Sequence, residues 1–144
     1  MKLIINSSLL KNTLQDVMGV VGKDLTMPIL SHVLIEKKNK KVLVTGTNLE
    51  VQITSSVKYI ESDEFDPLTV SGRKIYEIVR SLDQQDIELT TNKNRLILKT
   101  SNSTFKLSVL PSNNFPTFEE HKAIESFNIE QTQLLDLLNK TSFS

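Results

Sequence analysis

The chain has 144 residues, 38% of them apolar and 24% charged, with 17 Lys+Arg balanced by 17 Asp+Glu and no cysteine. That length suits one ordinary domain with a short remainder, and the composition excludes disulfides, thiolate catalysis and most structural zinc sites. Zero net charge leaves no overall field drawing the protein to nucleic acid or to an anionic membrane, so any such affinity must come from local placement. No apolar run approaches the roughly 18 residues of a membrane span, and MKLIINSSLL lacks the apolar core of a signal peptide, so a soluble protein of the reducing cytosol is expected.

In chain order, KLIIN reads as a short extended run and SSLLKNTLQDVM as a helix. Its core stripe is Leu10, Leu14, Val17 and Val21, which turns Asn12 and Gln15 outward and leaves Lys11 on the flank. SHVLIEKK, KKVLVTGTN and LEVQITSSVKY follow as three strands, the first two joined by a tight turn at Asn39-Lys40. PLTV is extended, and Gly72 to Leu82 is a helix with Ile75, Val79 and Leu82 toward a core and Arg73, Glu77 and Arg80 on the opposite face. DIELTT, RLILKTS and STFKLSVL are three more strands, with turns at Asn92-Lys93-Asn94 and Ser101-Asn102. PSNNFPTFEEHKAIE reads as a connector, and SFNIEQTQLLDLLNKTS as an extended run entering a helix that carries Leu134, Leu135, Leu137 and Leu138.

These elements repeat. Ile5, Leu10 and Leu14 of the first strand and helix superpose at one constant offset on Val70, Ile75 and Val79, and at another on Ile129, Leu134 and Leu138. Repetition at near-equal spacing constrains a fold more than local propensity does. The unit of strand, helix and three strands occurs twice in full, which predicts an α+β domain: eight strands in a mainly antiparallel curved sheet, two helices packed on it, and pseudo-twofold internal symmetry. The expected organisation is a domain over 1–110, a linker over 111–125, and over 126–144 the opening strand and helix of a second, truncated domain. Packing is expected to deteriorate from Leu110 onward.

With no catalytic motif, the repeated unit resembles the bacterial DNA polymerase III beta subunit family, the replicative sliding clamps. The resemblance is carried by the MK start, Met27 to Leu30 (MPIL), Thr45 to Glu50 (TGTNLE), the GRKIYEIVRSL helix, and Phe105 to Pro116 (FKLSVLPSNNFP). It implies a non-enzymatic, cofactor-free, cytoplasmic processivity factor. Such a protein closes as a homodimeric ring around double-stranded DNA without reading sequence, and tethers the replicative polymerase. Polymerase and clamp-loader subunits would bind through regions outside this chain. The resemblance turns the helices toward DNA, which makes Arg73, Arg80, Lys11, Lys23 and Lys140 the candidate phosphate contacts. It also places a head-to-tail dimer interface at Lys74, Ile78, Leu82, Phe105 and Leu107. From the residues alone, the competing reading is a protein-interaction module whose arginines only solubilise a helix face.

Other chemistry is not supported. Gly19, Gly22 and Lys23 follow a helix instead of opening one, so they form no phosphate loop. His32 and His121 lack further ligands at metal spacing, the carboxylates of FDPL and FEEH have no accompanying nucleophile or base, and the Asn102-Ser103-Thr104 sequon has no export signal to make it meaningful.

Overall fold

A computed structural model describes residues 1–22, 26–118 and 123–142. The first unit is β1 (Lys2–Asn6), α1 (Ser7–Met18), β2 (His32–Lys38), β3 (Lys41–Thr47) and β4 (Gln52–Val57), with a 3₁₀ turn at Pro28–Ser31. A two-residue strand, β5 (Glu61–Ser62), precedes the second unit of β6 (Leu68–Ser71), α2 (Gly72–Ser81), β7 (Asp86–Asn92), β8 (Arg95–Lys99) and β9 (Thr104–Leu110). A final helix, α3, spans Gln131–Thr141.

All nine strands join one antiparallel sheet in the order β4-β3-β2-β6-β9-β8-β7-β1-β5. The two units interlock: β1 pairs with β7 of the second unit, and β6 pairs with β2 of the first. The pseudo-symmetry extends to the ninth strand. Past Ser108 the chain of β9 leaves β8 and pairs with β6, Val109 opposite Val70 and Leu110 opposite Thr69. Past Val57 the chain of β4 likewise leaves β3, and β5 pairs with β1, Glu61 opposite Ile4. The repeat pattern showed eight strands because two residues are too few for any periodicity to mark. Lys2 fixes this ninth strand with a 2.8 Å ion pair to Glu61.

Alternation along the strands builds one core under the helices. Leu3, Ile5, Val33, Ile35, Val42, Val44, Val70, Ile87, Leu89, Leu96 and Leu98 are buried against Leu10, Leu14 and Val17 of α1 and Ile75 and Val79 of α2. The helices run antiparallel. Ser7, opening α1, donates from its N–H to the Gln85 carbonyl at 2.8 Å and from its hydroxyl to the Asp83 carbonyl at 3.0 Å. At the other end, a Cβ on Gly72 would lie 3.2 Å from Met18 Sδ and from Val21 Cγ1, so the absence of a side chain lets α2 begin against the end of α1.

The opposite sheet face has a second, smaller core. Leu34, one residue out of phase with Val33 and Ile35, packs there with Ile29, Leu30 and Phe115. The expectation that packing deteriorates from Leu110 is therefore corrected at Phe115, and holds for the described residues after 118. Of the segment read as a connector, residues 111–118 lie on the sheet as a strap, Phe115 only 6% exposed, and the Phe118 N–H donates to Gln52 Oε1 at 2.9 Å. One buried aromatic among Pro, Ser and Asn has no periodicity, and this is why the sequence concealed it.

Beyond the strap the apolar residues find no cover. The run over 126–130 forms no strand, and Phe127 and Ile129 are exposed; an extended segment without a neighbouring strand has no ladder to join. Helix α3 does form, because its hydrogen bonds are internal, yet it buries none of its residues and its four leucines are 43–56% exposed.

Because Phe115 ties the strap to the sheet, Phe115→Ala is expected to destabilise the domain by about 3–5 kcal/mol. Ile124→Ala, at a residue 99% exposed, should leave stability unchanged. Denaturant titration of both variants measures the difference.

Candidate nucleic-acid interface and subunit edge

Helix α2 starts at Ser71, whose hydroxyl accepts from the Lys74 N–H at 3.5 Å, and ends when the chain turns extended at Leu82. With Gly72, Ile75 and Val79 directed into the core, helical geometry leaves two outward stripes. One carries Arg73, Glu77 and Arg80, all exposed. The adjacent one carries Lys74, exposed, followed by Ile78 and Leu82, both half-buried against the edge of the core.

The two arginines differ in their surroundings. Arg73 Nε donates to Glu77 Oε1 at 2.8 Å, an i,i+4 pair at the surface that offsets its charge and raises its pKa. The Arg80 guanidinium lies 5.8 Å from the Tyr76 ring centroid, and among the described residues no carboxylate pairs with it. On α1, Lys11 is half-buried while Asn12 and Gln15 are exposed, and Asp16 accepts a 3.0 Å hydrogen bond from Ser55 of β4. α1 packs beside α2, so Lys11 shares their helical layer with Arg73 and Arg80. Lys140 is on α3, in a 3.0 Å pair with Asp136, and Lys23 lies outside the described residues. The wheel placed Arg73, Arg80 and Lys140 on exposed faces, as found, but it gave no sign that Glu77 engages Arg73, because i,i+4 rotamers are not legible in sequence.

At the candidate subunit edge, Phe105 is half-buried and Leu107 is a core residue 6% exposed, so the accessible apolar surface there belongs to Ile78, Leu82 and Phe105. β9 is only partly enclosed. β8 pairs with all of Thr104–Ser108, whereas β6 reaches only Val109 and Leu110, and among the described residues no strand lies along the other side of Thr104–Ser108.

At the start of β2, opposite the Ser71 cap of α2, is His32. Its Nδ1 is buried with no hydrogen-bonding partner among the described residues. Burial, and secondarily the charge of Lys74, lower its pKa from the ordinary 6.5, against a hydrogen bond to the Thr69 backbone. Among the described residues no group of three or more His, Asp or Glu is placed to hold a metal.

Two antiparallel helices on one face of a sheet made of two interlocked four-strand units define a domain of the DNA-clamp fold. The sequence agrees: residues 1–119 match the family model of the DNA polymerase III beta subunit, N-terminal domain, and the chain belongs to that family. It is similar to the beta sliding clamp of Pseudomonas putida, with 37% identity over 145 residues covering all of this chain and 40% of that protein. It overlays the DNA polymerase III beta subunit of Pseudomonas aeruginosa with a TM-score of 0.92 at 36% identity, covering all of this chain and 39% of that one. The Caulobacter crescentus pol III beta structure gives 0.90 at 30% identity. The chain thus spans about two-fifths of the length of these relatives.

A depressed His32 pKa means that the unfolded chain binds the extra proton first as pH falls, so the stability this residue contributes is present above pH 6.5 and is lost below it. Thermal melts are expected to be level between pH 7 and 8 and to decline below about 6.5. His32→Gln should flatten that decline.

Proposed function

We propose that this chain is the N-terminal part of a sliding clamp, a non-catalytic processivity factor that encircles duplex DNA and tethers a replicative polymerase in the cytoplasm. The carrying observation is the helical layer of a clamp-fold domain, with Arg73, Arg80 and Lys11 directed away from the sheet. A sliding ring needs phosphate attraction that is weak and indifferent to sequence. Dispersed cations, one of them already offset by Glu77, supply that, where a dense basic patch would hold the ring in place. Processivity is then topological: a closed ring raises the polymerase's effective concentration at the primer end without reading bases.

The same reading makes the second stripe of α2 and the open side of β9 one half of a head-to-tail interface. Such a contact is heterologous, so its other half is a different surface. Lys74, Ile78, Leu82 and Phe105 offer side chains, Leu107 supports them from the core, and the unpaired backbone of Thr104–Ser108 can accept a further strand. Residues 126–142 are assigned to the start of a second clamp domain, whose sheet would cover the α3 leucines, and Lys140 and Lys23 remain candidate DNA contacts.

Retention of the full-length protein on circular but not linear DNA tests encirclement; equal retention on both would refute it. Arg73→Gln with Arg80→Gln in that protein should weaken DNA association and reduce its log–log salt slope by about 1 per arginine, at unchanged melting temperature. Ile78→Asp should leave the domain folded and abolish full-length dimerisation in sedimentation. A full-length Ile78→Asp protein that stays dimeric would remove this residue from the interface.

A further inference from the structure

The opposite face of the sheet carries a second cluster of cations that the helix-face reading does not use. In the β2–β3 ladder Lys38 stands directly opposite Lys41. Val42 is opposite Val57 in the β3–β4 ladder, and Lys58, the first residue past β4, lines one recess with Lys41. Lys38 and Lys41 therefore face each other across two strands about 4.8 Å apart, on the side away from the helices, and Lys58 extends the row just past the end of β4. Lys40 adds a fourth charge from the hairpin turn, where Asn39 and Lys40 have φ of 51° and 60°.

Like charges directly opposed across a ladder are destabilising, and here little relieves them. Glu36 pairs with Lys38 at 3.1 Å, but among the described residues no carboxylate pairs with Lys40, Lys41 or Lys58. These three lysines, with Ser56, Val57 and Tyr59, line an open recess of about 460 Å³ that contains no carboxylate. Tyr59 shapes its wall: its hydroxyl donates to the Lys40 carbonyl at 3.3 Å, and its ring is occupied by Lys37 Nζ 5.5 Å from the centroid.

We propose that this row binds the sugar-phosphate backbone of a single-stranded nucleic acid, as a contact separate from the helix face. Lysine is depleted in protein–protein interfaces and the recess has no exposed aromatic or apolar anchor, which disfavours a peptide. Compact ammonium charges without a guanidinium fork suit phosphates in a non-directional way. A flexible single strand can follow a small concave groove, whereas a rigid duplex would meet only its rim.

The test uses this 144-residue chain. Anisotropy of a labelled oligothymidylate of about a dozen nucleotides, and of a duplex of the same length, is titrated between about 20 and 200 mM salt. Lys41→Gln with Lys58→Gln should weaken single-strand binding about fivefold and lower its log–log salt slope by about 1.4, or about 0.7 per lysine. The duplex should be affected less, and the melting temperature should hold or rise as the opposed charges are removed. Lys40→Gln, at the turn and outside the ladder, should give a smaller loss in the same direction. Arg73→Gln with Arg80→Gln reads the helix face separately, so the two assignments fail independently. Unchanged single-strand affinity and slope in the lysine variants would overturn the proposal. So would an equal or larger loss on duplex, or tighter binding through these lysines of an oligoglutamate peptide of matched charge.

Discussion

The structure depends on an exchange of strands between its two repeats. β1 completes the sheet of the second unit and β6 that of the first, so neither half can bury its apolar face without the other. The core therefore forms from residues far apart in sequence, Leu3 and Ile5 against Ile87 and Leu89 at one end and Val33 and Ile35 against Leu68 and Val70 at the other. Such long-range pairing makes a cooperative domain with slow nucleation, since large loops must close before contacts compensate for their entropy.

The helix pair inherits its geometry from this exchange. Each helix follows the strand that its unit lends to the other, so α1 and α2 lie side by side on one face of the sheet, pinned at one end by Ser7 against the turn after α2 and at the other by the Gly72 contact with Met18. Packing thus consumes one stripe of each helix and leaves the rest to solvent. That division, set by the core alone, is what directs Arg73 and Arg80 outward as a surface distinct from the sheet's other face and its lysine row.

Much of this was legible in the sequence because periodicity reports burial. The repeat of Ile5, Leu10 and Leu14 at Val70, Ile75 and Val79 specified both helices, the order of the units and the core stripes. What stayed hidden is of three kinds. β5 is too short to have a period. Phe115 packs through a single side chain, so the strap resembled a linker. The run over 126–130 has strand-like alternation but no neighbour to pair with, and alternation alone does not make a strand. Of the candidate site, exposure was readable from the wheel, whereas the Arg73–Glu77 pair, the unpartnered His32 nitrogen and the cross-strand lysine row depend on rotamers and register.

The strap also determines how the domain carries mechanical load. The β6–β9 seam that joins the two halves of the sheet comprises only the Thr69–Leu110 and Val70–Val109 pairs, with a 2.9 Å bond from the Thr69 hydroxyl to the Leu110 carbonyl, and it lies immediately before the chain leaves the sheet. Tension applied from the C-terminal side would peel so short a seam first, as a zipper opens from its end. Phe115 and the Gln52–Phe118 bond intercept that force and divert it into β2 and β4, which are held by longer ladders. The two-pair seam between the halves of the sheet is thereby kept out of the load path.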